Sequence, residues 1–144
     1  MSPRRPLADL LDALVEYVLV PDGAAAGIEV TSVDFDSRAV TPGSLFCAVK
    51  GEHADGHDHA AAAVANGAVA LVVEHRVDLD VPQVVVPDSR AAMGFVSDAL
   101  YDRPSRRIAV VGVTGTNGKT TVTHVLAAIP VSYTHLTLPT KRIV

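Results

Sequence analysis

The sequence predicts an α/β fold, and three observations carry that expectation. Short runs rich in β-branched residues alternate along the chain with segments in which alanine and leucine recur at helical spacing. An unbroken apolar run at 108–111 opens into a glycine-rich loop ending in Gly118-Lys119-Thr120, and a second helical pattern follows. Finally, the 144 residues are 49% hydrophobic and only 19% charged, which is ample for a packed core and argues against wholesale disorder.

The elements follow in order. Leu7, Leu10, Leu11, Leu14 and Val18 make one face of an amino-terminal helix. Pro21-Asp22-Gly23 and the alanine–glycine stretch behind it mark a loop. Ile28, Val30 and Ser32 alternate with Glu29, Thr31 and Val33, the pattern of a strand. Thr41-Pro42-Gly43 is a turn, because proline fixes one backbone angle and glycine tolerates the other. Residues 44–50 then read as a second strand. The alanine-rich stretch 58–66 is a helix stopped by Gly67. Residues 68–73 and 83–86 read as strands, and 88–101 as a helix capped by Asp88 or Ser89. Asp102-Arg103-Pro104-Ser105-Arg106-Arg107 is the joint to the glycine-rich part.

Bulk properties exclude several functions. A net charge of −4 argues against non-specific nucleic-acid binding. The single cysteine, Cys47, permits no internal disulfide and sits in an apolar stretch, as a small core residue does. Arg4-Arg5 hints at a twin-arginine export signal, but Asp9, Asp12 and Glu16 interrupt any apolar signal core. No stretch approaches the roughly 18 apolar residues of a membrane span. The expectation is a cytoplasmic protein with neither nucleic acid nor membrane as partner.

The glycine-rich loop points to a phosphate. Gly112, Gly115 and Gly118 let successive N–H groups turn toward an anion. Lys119 supplies a mobile positive charge for phosphate oxygens, Thr120 a hydroxyl for Mg²⁺, and the following helix its positive end. Val122, Val125, Leu126 and Ile129 give that helix its apolar face. The usual spacing G-x-x-x-x-G-K-[ST] would need glycine at 113, where this chain has Val113. A chance Gly-Lys-Thr explains the tripeptide alone, but not the strand, glycines and helix that surround it.

Gly115-Thr116-Asn117-Gly118-Lys119-Thr120-Thr121 resembles the ATP loop of the Mur ligases, which build the peptide stem of the bacterial cell wall. A second block agrees with it: Asp36-Ser37-Arg38, Thr41-Pro42-Gly43-Ser44-Leu45-Phe46, Lys50-Gly51-Glu52-His53-Ala54-Asp55-Gly56-His57 and Ala65-Asn66-Gly67-Ala68. That block resembles the amino-terminal uridine-nucleotide-binding domain of the family members that add the third residue and the terminal dipeptide. The threonine-containing loop favours the branch adding the third residue, since the dipeptide-adding branch usually carries serine there.

The resemblance implies an ATP-dependent ligase, with ATP and Mg²⁺ as cofactors and a UDP-N-acetylmuramoyl dipeptide and an amino acid as substrates. A substrate carboxylate takes the γ-phosphoryl group as an acyl phosphate, and an amine then displaces phosphate to form the amide. Phe35, Ser37, Glu52, His53 and Ala54 are the implied uridine-substrate contacts. Residues 115–121 are the implied ATP contacts, with Lys119 the catalytic residue and Thr120 directed at Mg²⁺. The implied organisation is a substrate-binding domain at 1–103, then the first strand, phosphate loop and helix of a truncated ATPase domain at 104–129. Whether diaminopimelate or lysine is added lies outside these motifs.

Rival readings remain beside these. His53, Asp55, His57, Asp58 and His59 have metal-ligand chemistry, but no H-E-x-x-H or cysteine pair accompanies them. In a helix His57 and His59 would point apart, so a nucleotide loop leading into a solvated helix start is the preferred reading. Asp36-Ser37-Arg38 alone would be a salt-bridged turn, and His124 a surface residue. A non-catalytic nucleotide-sugar-binding module, or the dipeptide-adding ligase, is the functional alternative. Residues 130–144 do not continue an ATPase sheet. Their stretch 131–140 resembles a transposon-end sequencing adaptor translated as protein, so this tail, with His135, is expected to be non-native.

Overall fold

A computed structural model describes residues 3–52, 54–108 and 112–128. The chain divides into two compact units, Met1–Ile108 and Ala109–Val144. Most of the apolar run expected as a strand, 109–111, lies outside the described residues, as do Ile129 and the tail 130–144.

The first unit is a five-stranded sheet with helices on both faces. Its elements are β1 (Arg5–Pro6), α1 (Leu7–Leu11), β2 (Val18–Val20), β3 (Glu29–Val30), β4 (Ser32–Asp34), β5 (Ser44–Cys47), α2 (Ala60–Ala65), β6 (Ala68–Val73), β7 (Gln83–Val85) and α3 (Ser89–Leu100). The sheet order is β2-β7-β6-β5-β4, while β1 and β3 form a separate antiparallel pair. Strands β4 to β7 run parallel, and β2 closes one edge antiparallel to β7. The expected α/β class is the one observed.

Two-residue periodicity divides the core between the faces. Leu45, Cys47, Ala70, Val72 and Val84 pack with Leu7, Leu10, Leu11, Val96 and Leu100 of α1 and α3. Phe46, Leu71 and Val73 point the other way, onto Ala60 and Ala63 of α2. Burial raises the Cys47 thiol to about 12, in keeping with a packing role. Helix α3 begins where Asp88 accepts a hydrogen bond from the Ala91 amide at 2.9 Å, a side-chain cap of the expected kind. Gln83, fully buried, spends its amide on the loop before β7: Oε1 accepts from Val77 N at 2.9 Å, and Nε2 donates to Val77 O at 2.8 Å.

The amino-terminal helix is shorter than its apolar spacing suggests. It ends at Leu11, and Val18 belongs to β2, where it faces Val85. The cause is the run Val18-Leu19-Val20, which completes the sheet edge before Pro21, lacking an N–H, stops it. The expected strand at 28–33 is also two strands. Thr31 leaves the alternation to donate its amide to Gly43 O at 2.9 Å, and the chain passes from one sheet to the other. The strand at 44–50 ends at Cys47, and the helix at 58–66 begins as a 3₁₀ turn, Gly56–His59, before α2.

Among the described residues, no helix is long and apolar enough to cross a membrane. The turn 41–44 closes with Ser44 N on Thr41 O at 3.0 Å, and Gly43 N donates to Gly67 O at 3.1 Å. Gly67 has φ +109°, and a Cβ there would lie 2.8 Å from Pro42 Cα. Both the angle and the contact require glycine. Gly67→Ala is expected to cost about 1–3 kcal/mol in urea unfolding with an unchanged slope; a variant as stable as the wild type would show that the contact relaxes freely.

Candidate functional site

Two loops leave the carboxyl ends of the neighbouring parallel strands β4 and β5 and flank a cleft of about 480 Å³. Ligands of open α/β sheets bind at this end of the strands. Of the five residues expected to meet the uridine substrate, Phe35, Ser37 and Ala54 line this cleft. Glu52 is exposed on the same loop and does not line it, and His53 lies outside the described residues. Arg38 and His59, which can carry positive charge toward an anionic ligand, line it as well.

The first loop is rigid by its own bonds. Asp36 takes Arg38 in a two-point pair, Nε to Oδ1 at 2.9 Å and Nη2 to Oδ2 at 2.7 Å, and accepts the Arg38 amide at 3.0 Å. The salt-bridged turn is therefore real. The Arg38 guanidinium, then its amide, lowers the Asp36 carboxyl from 3.8 to about 2. From the end of α2, Asn66 Nδ2 donates to Ser37 O at 2.9 Å. The backbone of Ser37 is thus held, while its hydroxyl has no hydrogen-bond partner among the described residues. In the sequence Asn66 stands in the family-like block Ala65-Asn66-Gly67-Ala68 and before a helix stop, with no contact of its own assigned.

The second loop folds on itself through a bridge between Lys50 and Asp55, with Gly51 N on Ala54 O at 2.9 Å and Gly56 N on Val49 O at 3.1 Å. His57 behind it is buried, where a solvated helix start was expected. Its Nδ1 lies 2.6 Å from Asp55 Oδ1, and its Nε2 accepts from Glu74 N at 2.9 Å. The His57 amide, foremost, and its ring hold the Asp55 carboxyl below its usual range. His59, two residues on, is exposed at the cleft, so the two imidazoles do point apart. Among the described residues, no three His, Cys, Asp or Glu side chains gather as a metal site. The missed signal was the Asp55-x-His57 spacing, at which a carboxylate caps the amide two residues on.

In the second unit, the loop 112–118 leads into α4 (Lys119–Ala128). Gly115 at φ +143° and Gly118 at φ +79° adopt angles that favour glycine. Residues 114–121 are exposed, and the Lys119 ammonium folds back onto the Gly115 carbonyl. Among the described residues, the amides of Thr116, Asn117 and Gly118 and the hydroxyl of Thr120 have no hydrogen-bond partner. The Thr123 hydroxyl bonds Thr120 O at 2.8 Å, so it stays within the helix. This donor set has the chemistry to meet a nucleotide phosphate chain: unpaired amides and a helix start, with one ammonium that rests on a loop carbonyl. Val122, Val125 and Leu126 of the expected apolar face are exposed, and His124 is exposed too, as expected. Ile108 is a bend and exposed, short of the strand expected to begin there.

Known proteins agree with this arrangement. The family model described as "Mur ligase family, catalytic domain" matches residues 29–109. The UDP-N-acetylmuramoyl-L-alanyl-D-glutamate–2,6-diaminopimelate ligase of Geobacillus thermodenitrificans is 54% identical over 101 residues, which are 70% of this chain and 21% of that protein. The solved UDP-N-acetylmuramoylalanyl-D-glutamyl-2,6-diaminopimelate–D-alanyl-D-alanyl ligase of Acinetobacter baumannii superposes with a TM-score of 0.68 at 31% identity, over 88% of this chain and 28% of that one. The MurF ligase of Thermotoga maritima, solved in complex with ADP, is 35% identical with a TM-score of 0.51, over 66% of this chain and 22% of that one. The chain belongs to the Mur ligase family. It spans about a fifth to a quarter of the length of the curated relatives it matches.

The Asp36–Arg38 pair has a measurable signature. A carboxyl depressed from 3.8 to about 2 contributes stability that is complete above 3.8 and is lost as pH falls toward 2. An NMR titration should place the Asp36 midpoint near 2 and return it to the ordinary carboxylate range in Arg38→Ala. An ordinary midpoint in the wild type would mean that the pair does not persist in solution.

Proposed function

We propose that this chain is the leading part of an ATP-dependent amide ligase that extends UDP-N-acetylmuramoyl-L-alanyl-D-glutamate by the third stem residue, diaminopimelate or lysine, in the cytoplasm during peptidoglycan synthesis. The observation that carries the ligase class is the loop 115–121, open at its amides and led by an exposed Lys119 at a helix start. Curated relatives at 54% and 47% identity are diaminopimelate-adding enzymes, which supports the third-residue branch. In this reading, residues 1–103 bind the uridine substrate, 104–129 begin the ATPase domain, and 130–144 are not native sequence.

Phe35, Ser37 and Ala54 hold the uridine end, with Glu52 and His53 on the loop that carries Ala54, and the Asp36–Arg38 pair and His59 give the cleft its polar wall. Residues 115–118 offer backbone N–H groups to phosphate oxygens, Lys119 exchanges the Gly115 carbonyl for phosphate, and Thr120 holds Mg²⁺ through its hydroxyl. When bound, ATP supplies the phosphoryl group that activates the substrate carboxylate, and Mg²⁺ neutralises its charge. The loop's own contribution is positioning and charge stabilisation.

Lys119→Ala in the full-length parent is expected to lower turnover by on the order of 10²–10³-fold or more, with UDP-substrate binding preserved. A steady-state ligase assay beside a substrate-binding titration separates the two. Retained turnover would refute the role given to the loop. The 144-residue chain alone should show weak UDP-sugar binding at most and no ligation; full ATP-dependent ligation by it would overturn the fragment reading.

A further inference from the structure

Behind the cleft lies a polar chain, buried at His57 and Ser89, that none of the uridine or ATP contacts uses. His57 has a side chain only 5% exposed, and both ring nitrogens are engaged. A backbone N–H can only donate, so Nε2 accepts from Glu74 and the ring proton sits on Nδ1, directed at Asp55. His75 covers the ring in a stacked pair with centroids 4.1 Å apart and planes 15° apart. Glu74 in turn accepts from Ser89 N at 3.1 Å, and the Ser89 hydroxyl lies 2.9 Å from Ala48 O. The chain thus runs from the cleft loop, through the end of β6, to the start of α3.

We propose that His57 is the positioning residue of the uridine cleft: a strut that fixes the loop 50–56 against the end of β6 by donating to Asp55 and accepting from the Glu74 amide. The inference rests on the uridine reading of the cleft and names what keeps that cleft in shape. The loop carries Ala54 and Gly56 to the lining, and its own bonds are few: the Lys50–Asp55 bridge, Gly51 to Ala54, and Gly56 to Val49. Besides the backbone bond of Asp58 N to Asp55 O at 3.2 Å, two side chains tie it to the rest of the unit among the described residues. Arg90 Nη2 donates to Lys50 O at 3.1 Å from the exposed side, and His57 holds Asp55 from the buried side. The first tie is exposed, whereas the second has its imidazole buried and only its carboxylate partly exposed, so His57 is the better protected of the two. Preordering a binding loop removes the cost of ordering it when ligand arrives.

The test compares His57→Phe, which keeps a ring and the amide bond to Asp55 but loses both ring hydrogen bonds, with Asp55→Ala, their double variant and Val96→Ala. Val96 is buried in the core and lies outside the polar chain, so its truncation destabilises without touching the loop. UDP affinity by calorimetry and amide hydrogen exchange at Gly51 and Gly56 are the readouts. His57→Phe is expected to weaken UDP about tenfold and to speed exchange at both glycines. The double variant should be no weaker than Asp55→Ala alone, because both act through one link. Val96→Ala should leave both readouts as in the wild type despite its lower melting temperature. Unchanged loop exchange in His57→Phe, additive losses in the double variant, or equal effects in Val96→Ala would each overturn the strut. Failure of the wild type to bind UDP would overturn the uridine reading instead, and the exchange comparison would still decide on the strut.

Discussion

Strand β5 is buried on both faces, and the candidate site depends on that constraint. Ser44, Leu45, Phe46 and Cys47 are all inaccessible to solvent, so their side chains must alternate between two apolar cores and their backbone must be paired on both edges. Parallel neighbours β4 and β6 satisfy that pairing, and they also fix the direction in which each chain segment leaves the sheet. The loops after β4 and β5 therefore emerge side by side. A cleft forms between them because the sheet places their starting points, while their own hydrogen bonds keep them from collapsing into it.

Polar groups near the cleft fall into two populations. Asp36, Arg38, Asp55 and His57 are spent on one another and on the backbone, which makes the loops stiff. The hydroxyl of Ser37 is left over, beside an exposed Phe35 ring. A stiff frame around an unspent donor and an apolar surface is the arrangement expected for a small-molecule site. The same division holds in the second unit. There Thr123 is consumed by its own helix and Lys119 rests on the Gly115 carbonyl, while the Thr120 hydroxyl and the amides of residues 116–118 have no partner among the described residues.

Much of the fold was legible in the chain because burial on both faces writes itself as continuous apolar runs. Residues 68–73, the turn at 41–44, the stop at Gly67 and the Asp88 cap all follow from local chemistry, and all are present. The failures share a cause in tertiary pairing. Val18 falls at a helical interval from Leu14, yet the open edge of β7 captures it as a strand. Thr31 continues an unbroken alternation, yet the turn at Gly43 draws its amide away and splits the strand. For the site, the motif residues Phe35, Ser37 and Ala54 converge, as their grouping on two strand-end loops implied. His57 was not legible as a buried support, because its partner Glu74 lies 17 residues away and contributes only a backbone amide.

The central claim is that the cleft between the loops following β4 and β5 receives the uridine end of a nucleotide-linked sugar. Residue-resolved NMR mapping on the isotopically labelled 144-residue chain, titrated with UDP-N-acetylmuramoyl dipeptide, addresses it most directly. The account predicts saturable amide shifts concentrated at Ser37, Ala54, Gly56 and Asn66. Shifts confined to other faces of the sheet, or none at ligand concentrations reaching millimolar, would contradict it.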